Sequence, residues 1–131
     1  MWTCSQEINY RESAKAMHEF GIANSVLDAA RAEAQLRPAM RLTKIVIRVG
    51  DLAGVDPDAL SFCFDALVKE TEMESVVLGI ERRAQRHRCP RCGGEFEVVN
   101  YVTVCPRCGE TMTTFVSGNE LELAYLEMED L

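Results

Sequence analysis

The first regular hydrophobic pattern in the chain begins just after residue 17. From Ile22 to Ala34, apolar residues recur at every third or fourth position, which is the spacing of an amphipathic helix. The segment is rich in alanine, a strong helix former, and Pro38 limits its continuation. The pattern therefore predicts a helix over about 18–36.

Three later segments alternate apolar and polar residues with the period of two that is typical of strands. They span 42–49, 76–83 and 120–128. After the first strand, Asp56 and Pro57 predict the start of a second helix, because Asp is a preferred N-cap and Pro suits the first helical position. Cys63 falls on the apolar face of this helix and is interpreted as a small core residue rather than a metal ligand.

These elements predict an α+β fold in which two helices lie on a small three-stranded mixed sheet. The segment 85–116 interrupts the pattern between the last two strands and predicts an inserted zinc-ribbon-like module, so that 17–84 and 117–131 form the body. Residues 1–16 show no apolar period and are interpreted as a disordered leader or a misassigned start, with Cys4 as a bystander thiol.

The inserted module contains two Cys-Pro-Arg-Cys-Gly motifs, and twelve residues, 93–104, lie between the two cysteine pairs. Two residues between cysteines allow one tight turn to direct both sulfurs at a single point, and the glycine accepts backbone angles that a side chain resists. Two such turns supply four thiolates in a tetrahedron, which is the arrangement of a structural zinc site. The predicted ligands are Cys89, Cys92, Cys105 and Cys108.

Two other interpretations of the four cysteines remain open from the sequence. A single iron in a rubredoxin-like site uses the same turns. Two disulfides are disfavoured, because a two-residue loop strains the bond and gains little loop entropy. Arginines cluster around the module, and their simplest role is to offset the double negative charge of a four-thiolate zinc; they are Arg82, Arg83, Arg86, Arg88, Arg91 and Arg107.

Composition excludes several classes of function. The formal net charge of −7 over 131 residues argues against general nucleic-acid binding, which needs a basic face. No apolar run approaches the roughly twenty residues that cross a bilayer. Six cysteines, four of them at metal-ligand spacing, favour a reducing compartment and hence the cytoplasm. The chain has no phosphate-binding loop and no nucleophile beside a base, so it is interpreted as non-enzymatic.

The chain has only two histidines, and each is a candidate for metal chemistry. If Met17 carries a free amine, that amine, the next backbone amides and the imidazole of His18 can form a nearly planar nitrogen set, which suits Ni(II) or Cu(II). The alternative is a solvated polar residue at a helix start. His87 precedes Cys89 by two positions and is interpreted either as a partner of the metal site or as an exposed imidazole.

Three motifs occur in order along the chain and together carry a family resemblance. They are Met-His-Glu-Phe-Gly-Ile-Ala at 17–23, Arg-Val-Gly-Asp-Leu-Ala-Gly-Val at 48–55, and the two cysteine motifs before a Glu-Leu strand. In this combination the chain resembles the HypA/HybF family of hydrogenase-maturation nickel chaperones, over residues 17 to about 128.

The resemblance implies a metallochaperone that holds nickel at His18, with backbone groups of Met17 and Glu19 nearby, and zinc at the four cysteines. Such proteins pass nickel, with a HypB-type GTPase, to the [NiFe]-hydrogenase large subunit, and in some organisms they support urease. Either a monomer or a homodimer is compatible with this role. The family's methionine is the chain terminus, whereas sixteen residues precede Met17 here, and this favours Met17 as the start of translation.

A second class of function is a zinc-ribbon module that binds or regulates a protein without nickel, with His18 incidental. The acidic charge and the lack of aromatic residues among basic ones argue against nucleic acid as its partner. Phe20 lies off the apolar stripe of the first helix, which makes it a candidate contact for the GTPase, while Ile22 begins the stripe and is expected in the core.

Overall fold

The fold is described from a computed structural model, which covers residues 18–131 and the backbone of the strand Trp2–Glu7. Residues 1 and 8–17, and the side chains of 2–7, lie outside the described part. Within the predicted leader 1–16, the structure describes only the backbone of Trp2–Glu7, which forms a strand. The leader itself, the free amine of Met17 and the bystander role of Cys4 stay predictions.

The chain forms two helices and seven strands within the described residues. In order they are β1 (Trp2–Glu7), α1 (His18–Gln35), β2 (Met40–Gly50), α2 (Pro57–Val68), β3 (Val77–Arg83), β4 (Arg86–Arg88), β5 (Glu95–Glu97), β6 (Thr114–Ser117) and β7 (Leu121–Asp130). The predicted α+β class is confirmed, and each of the five elements that the hydrophobic pattern predicted is present. No helix in the described part of the chain is both long and apolar enough to cross a membrane.

The chain divides into two compact units. The first comprises Met1–Arg48, Val55–Glu81 and Leu121–Leu131, and the second comprises Val49–Gly54 and Arg82–Glu120. The second unit contains the whole of the predicted module. It also contains the loop Val49–Gly54, which the hydrophobic pattern grouped with the body.

The first unit carries a four-stranded sheet in the order β1-β7-β2-β3, in which β1 runs antiparallel to β7. The sheet thus has one strand more than predicted, Trp2–Glu7, in a segment where no apolar period marked a strand. The predicted stripe of α1 is buried from Ile22 to Ala30, and the alternating residues Ile45 and Ile47 of β2 are buried with it. Burial of the apolar stripe is what holds α1 in place.

The start of α2 follows the predicted capping chemistry. The carboxylate of Asp56 accepts hydrogen bonds from the backbone N–H groups of Asp58, at 3.0 Å, and Ala59, at 3.3 Å. These bonds satisfy two of the donors that a helix start leaves unpaired. Leu60 and Phe64 on the apolar face are fully buried.

The second unit contains a small sheet in the order β5-β4-β6, with both pairings antiparallel. Around this sheet, four buried apolar residues form one cluster: Cys89, Phe96, Val98 and Cys105. Two members of so small a core are predicted metal ligands. The packing of this unit and its metal chemistry therefore depend on the same residues.

Candidate metal centre

The first cysteine motif forms a tight turn closed by backbone hydrogen bonds. The N–H of Gly93 donates to the carbonyl of Cys89 at 2.8 Å, and the N–H of Cys89 donates to the carbonyl of Gly94 at 2.9 Å. Gly93 has φ of 76°, in the left-handed region that favours glycine. Within the turn the N–H of Cys92 lies 3.5 Å from the sulfur of Cys89, as a donor to a thiolate should.

The second motif repeats this turn. The N–H of Gly109 donates to the carbonyl of Cys105, and the N–H of Cys105 donates to the carbonyl of Glu110, both at 2.9 Å. The φ of Gly109 is 77°, which matches the value in the first turn. The role that the sequence assigned to the glycine after each cysteine pair is confirmed.

The two turns bring all four sulfurs together. The four Sγ atoms lie within 4.8 Å of one another, and the closest pairs join the two turns: Cys89 to Cys108 at 3.5 Å and Cys92 to Cys105 at 3.7 Å. A tetrahedral zinc with Zn–S bonds of about 2.3 Å has S···S edges of about 3.8 Å, so the donor set fits a four-thiolate metal. All four are free cysteines, and their separations are far from the roughly 2.05 Å of a disulfide, which excludes the disulfide alternative.

The first and second cysteine of each pair differ in exposure. Cys89 and Cys105 are buried in the small core of the second unit, whereas Cys92 and Cys108 are exposed. Each turn therefore fixes one sulfur by packing and places the other at the surface. The first cysteine of each pair is thus held by packing, and the second completes the set of four sulfurs at the surface.

The two cysteines of the second turn have opposite pKa shifts. The backbone N–H of Cys108, helped by that of Arg107, donates to Cys105 and lowers the pKa of that thiol to about 7. The N–H of Glu110 lowers the pKa of Cys108, but hydrogen bonding with Cys89 and the other sulfurs, together with burial, outweighs it and raises the pKa to about 11. Because thiolates are the metal ligands, a cation that binds here displaces the proton of Cys108, and metal binding releases protons.

Half of the nearby arginines are neutralised by carboxylates. Arg88 and Arg86 bind Glu95 at 3.0 and 3.3 Å, and these hydrogen bonds lower the pKa of Glu95, with Arg88 contributing more. Arg82 binds Asp51 at 2.9 Å. Within residues 18–131, no ion pair involves the remaining arginines, Arg83, Arg91 and Arg107.

His87 is not among the residues that the structure groups as metal ligands. Its Nδ1 lies 2.9 Å from the hydroxyl of Thr113, and that hydroxyl donates to the carbonyl of Thr103 at 2.7 Å. The hydroxyl proton is therefore engaged, so the ring donates from Nδ1. The ring also makes an edge contact with Phe115, with centroids 6.0 Å apart. Over the described residues, the cluster with metal-ligand geometry consists of the four cysteines alone.

The predicted nickel residue, His18, lies in the first unit at the first residue of α1. Its side chain is 15% exposed, and its Nδ1 lies 3.6 Å from a carboxylate oxygen of Glu19. The same oxygen accepts a hydrogen bond of 3.4 Å from the N–H of Asp56. His18 is thus largely covered rather than fully solvated, and it contacts an acidic neighbour.

The structure also shows the burial of three other residues that were named from the sequence, Phe20, Ile22 and Cys63. Ile22 is fully buried, as predicted, and Phe20 is half-buried. Cys63 is buried, and burial, followed by the nearby charge of Glu19, raises the pKa of its thiol. Its prediction as a core residue is confirmed.

Sequence reasoning missed the part that Val49–Gly54 plays beside the metal-bearing segment. The N–H of Asp51 donates to the carbonyl of Arg83 at 2.9 Å, and the N–H of Leu52 donates to the carbonyl of Gly118 at 2.7 Å. These bonds hold the loop against both chain segments that flank the cysteine turns. The only signal in the sequence was the pair Gly50 and Gly54, which predicted an open loop.

The family model described as "Hydrogenase/urease nickel incorporation, metallochaperone, hypA" matches residues 17–128. The chain belongs to this family. The match begins at the Met-His-Glu motif and includes both cysteine turns.

Individual relatives support the same assignment. A hydrogenase maturation factor HypA of Geobacter metallireducens is 42% identical over 113 residues, which are 86% of this chain and all of that protein. One of Chlorobium luteolum is 41% identical over 114 residues, 87% of this chain and 97% of that protein. The family is therefore one of metallochaperones that act in hydrogenase maturation.

Two solved structures share the fold. The solution structure of the Ni metallochaperone HypA from Helicobacter pylori has a TM-score of 0.58 at 21% identity, covering 86% of this chain and 98% of that one. Another HypA solution structure has a TM-score of 0.63 at 23% identity, covering 86% of this chain and 97% of that one. The arrangement of two helices and small sheets is thus a fold that these solved structures share.

Proposed function

We propose that this chain is a nickel metallochaperone for the maturation of [NiFe]-hydrogenase. In this proposal it binds Ni(II) near His18 and delivers it to the hydrogenase large subunit together with a HypB-type GTPase. The observation that carries the proposal is the family match over residues 17–128, which joins the Met-His-Glu motif to the four-cysteine cluster in one chain.

The nickel site that we propose uses the imidazole of His18 and backbone nitrogens of its neighbours. Nitrogen donors in a nearly planar set suit Ni(II) better than zinc, which prefers a tetrahedron. The carboxylate of Glu19, 3.6 Å from Nδ1 of His18, adds a negative charge beside the cation. Nickel here is cargo, so its site must bind it reversibly.

We propose that the cysteine cluster holds a structural zinc. The sulfur separations suit a zinc–thiolate tetrahedron, and four protein ligands leave no position for an activated water. The chain is accordingly proposed to be non-enzymatic. We also propose that it resides in the cytoplasm, because a reducing compartment keeps the cysteines as thiolates. Metal analysis separates zinc from the iron alternative, because an iron–thiolate site is coloured and a zinc site is not.

Replacing His18 by alanine is expected to abolish the specific Ni(II) site while leaving the cysteine cluster loaded. The reason is that His18 supplies the only side-chain nitrogen of the proposed donor set. Calorimetric titration with Ni(II), at fixed zinc content, measures the change. Binding should also weaken at low pH, because protons compete for the nitrogen donors.

Two comparisons make this titration decisive. The variant His87→Gln should bind nickel as the wild type does, because His87 lies outside the proposed site. A protein that begins at Met17 should bind more tightly than one that begins at Met1, if the free amine is a ligand. Unchanged nickel affinity in His18→Ala would favour the alternative function, a zinc-ribbon module that binds or regulates a protein without nickel.

Replacing Phe20 by alanine is expected to weaken binding to the HypB-type GTPase with little change in metal content or thermal unfolding. Phe20 is half-buried in the first turn of α1, two residues from His18, so part of its ring can contact a partner. Phe62→Ala is the matched control, since that ring is 72% exposed on α2. If a calorimetric titration shows wild-type affinity for Phe20→Ala, Phe20 is not part of the interface. If Phe20→Ala instead loses much of its stability, Phe20 belongs to the core.

The client that we propose is the hydrogenase large subunit. The family description also names urease, so a urease client is the second candidate. Pull-down with each purified precursor distinguishes them. Light scattering of the captured complex in solution reports whether the protein acts as a monomer or as a homodimer, because the mass of the complex gives its stoichiometry.

A further inference from the structure

The sulfurs of the metal centre pair across the two turns, and each pair joins an exposed cysteine to a buried one. Cys92 is exposed, and its Sγ lies 3.7 Å from the Sγ of the buried Cys105. Cys108 is exposed, and its Sγ lies 3.5 Å from the Sγ of the buried Cys89. Each cysteine that a small oxidant can reach therefore has a protected cysteine of the other turn beside it. This is the arrangement of a reactive thiolate and a resolving thiolate.

A positive charge lies beside the exposed cysteine of the first turn. A Cβ atom built on Gly94 would lie 3.5 Å from the Sγ of Cys92 and 3.5 Å from Nη1 of Arg107. The sulfur and the guanidinium thus border the same small space, which Gly94 leaves open. Within residues 18–131 no ion pair involves Arg107, so no carboxylate there neutralises its charge.

The second turn carries the opposite charge at the equivalent position. Gly94 is the second residue after Cys92, and Glu110 is the second residue after Cys108. The carboxylate of Glu110 accepts hydrogen bonds from the next two backbone N–H groups, at 3.0 and 3.1 Å. A positive charge stabilises a thiolate and the hydroxide that leaves a peroxide, whereas a negative charge opposes both. Cys92 is therefore the exposed cysteine that the structure favours for reaction with an oxidant.

We propose that Cys92 is a modification site at which hydrogen peroxide oxidises the metal centre, and that Cys105 resolves the product. The thiolate of Cys92 attacks one peroxide oxygen, the O–O bond breaks, hydroxide leaves and a sulfenic acid forms. The thiolate of Cys105 then attacks that sulfur, the S–O bond breaks, a second hydroxide leaves and a Cys92–Cys105 disulfide forms. Two thiolates thus lose two electrons, and one peroxide is reduced to two hydroxides.

The consequence of this reaction is loss of the metal. A closed structural site needs all four protein ligands, and the disulfide leaves only the thiolates of Cys89 and Cys108. Because the disulfide also links the two turns, reduction restores the four thiolates in place. This inference rests on the metal centre of the proposed function and is independent of its nickel site. It gives the cysteine turns a response to oxidants in addition to their structural role.

Peptide mapping identifies the pairing, because trypsin distributes the four cysteines over three peptides. The full-length, zinc-loaded protein is treated with one equivalent of hydrogen peroxide, alkylated with iodoacetamide and digested. Cleavage after the arginines of this segment gives 89–91 with Cys89, 92–107 with Cys92 and Cys105, and 108–131 with Cys108. The proposed disulfide lies within 92–107, so this peptide should lose two hydrogens and take up no alkyl group.

Other pairings give different products. A disulfide within the first turn would join 89–91 to 92–107, and one within the second turn would join 92–107 to 108–131. A disulfide between Cys89 and Cys108 would join 89–91 to 108–131 and leave 92–107 alkylated. Any of these three as the first product would overturn the proposal.

Zinc release, followed with a chromophoric chelator, tests the part that Arg107 plays. One equivalent of peroxide should release one equivalent of zinc, and a thiol reductant with added zinc should restore the metal content. Arg107→Gln should retain zinc and slow the release roughly fivefold, the upper end for one exposed charge contact. Arg83→Gln is the matched control, because it removes the same charge at the end of β3, outside the cysteine turns, and it should react as the wild type does. Equal rates for Arg107→Gln and the wild type would contradict the role of this charge in selecting Cys92.

The proposed function and this modification site can fail separately. Neither experiment uses nickel, so a failed nickel role leaves both outcomes unchanged. If the purified protein retains no metal, the proposed zinc centre fails, and mapping of the metal-free protein still tests the pairing of Cys92 with Cys105. If the protein retains zinc, and peroxide leaves that zinc bound and 92–107 fully alkylated, only the modification site is excluded.

Discussion

Replacing Cys92 by alanine is expected to release the metal and unfold the cysteine-bearing unit while the two helices stay folded. The buried apolar cluster around the cysteine turns has four residues, and two of them, Cys89 and Cys105, are themselves proposed ligands. Packing alone therefore contributes little, and comparable zinc sites couple about 10–16 kcal/mol of apparent binding free energy to folding. With one thiolate missing, most of this free energy is lost.

Hydrogen exchange and zinc content measure this result together. Amides of 85–116 should exchange rapidly in Cys92→Ala, whereas those of α1 and α2 keep their protection, because the buried stripe of α1 and the apolar face of α2 contain no ligand. Cys63→Ala is the matched control: it removes a buried thiol from the first unit and should retain one equivalent of zinc. Unchanged exchange across 85–116 in Cys92→Ala would show that the metal does not hold this unit together.

The parts of the fold that local rules govern could be predicted from the sequence. The cap at Asp56, the stripe of α1 and the glycines of both cysteine turns each depend on residues within a few positions of one another. The meeting of the two turns was also predictable, because metal ligation is the one local pattern that implies a distant partner. The α+β fold class and the clustering of the four cysteines could therefore both be predicted.

What could not be predicted depends on contacts between distant segments. The strand Trp2–Glu7 pairs with β7, and only the partner strand identifies it, because its own residues show no apolar alternation. His87 was placed near the cysteines by sequence distance, yet its ring contacts Thr113 and Phe115. The loop Val49–Gly54 was predicted to be open, because its backbone partners, Arg83 and Gly118, lie tens of residues away in the sequence.

Replacing Gly50 by alanine is the second large effect that we expect. A Cβ atom at Gly50 would lie 2.1 Å from the carbonyl oxygen of Gly118 and 2.7 Å from the backbone nitrogen of Asn119. Both contacts are with backbone, so no side-chain rotation relieves them. The N–H of Gly50 also donates to the carbonyl of Glu120 at 2.7 Å, a bond that the displacement would break. Overpacking of this kind costs about 3 kcal/mol, and a lost hydrogen bond adds about 1 kcal/mol.

The matched control is Gly21→Ala, the same substitution inside α1. Apart from the backbone of α1 itself and the two adjacent residues, no atom of the described residues lies within 4 Å of the position that its Cβ would take, so alanine should stabilise the helix by roughly 0.5–1 kcal/mol. Thermal unfolding should therefore shift in opposite directions, down by roughly 10 °C or more for Gly50→Ala and up by a few degrees for Gly21→Ala. The fall should appear with the metal of the cysteine cluster still bound, because the backbone atoms that the Cβ would strike belong to Gly118 and Asn119 and not to a cysteine. A Gly50→Ala protein as stable as the wild type would mean that Val49–Gly54 does not hold the segments flanking the cysteine turns.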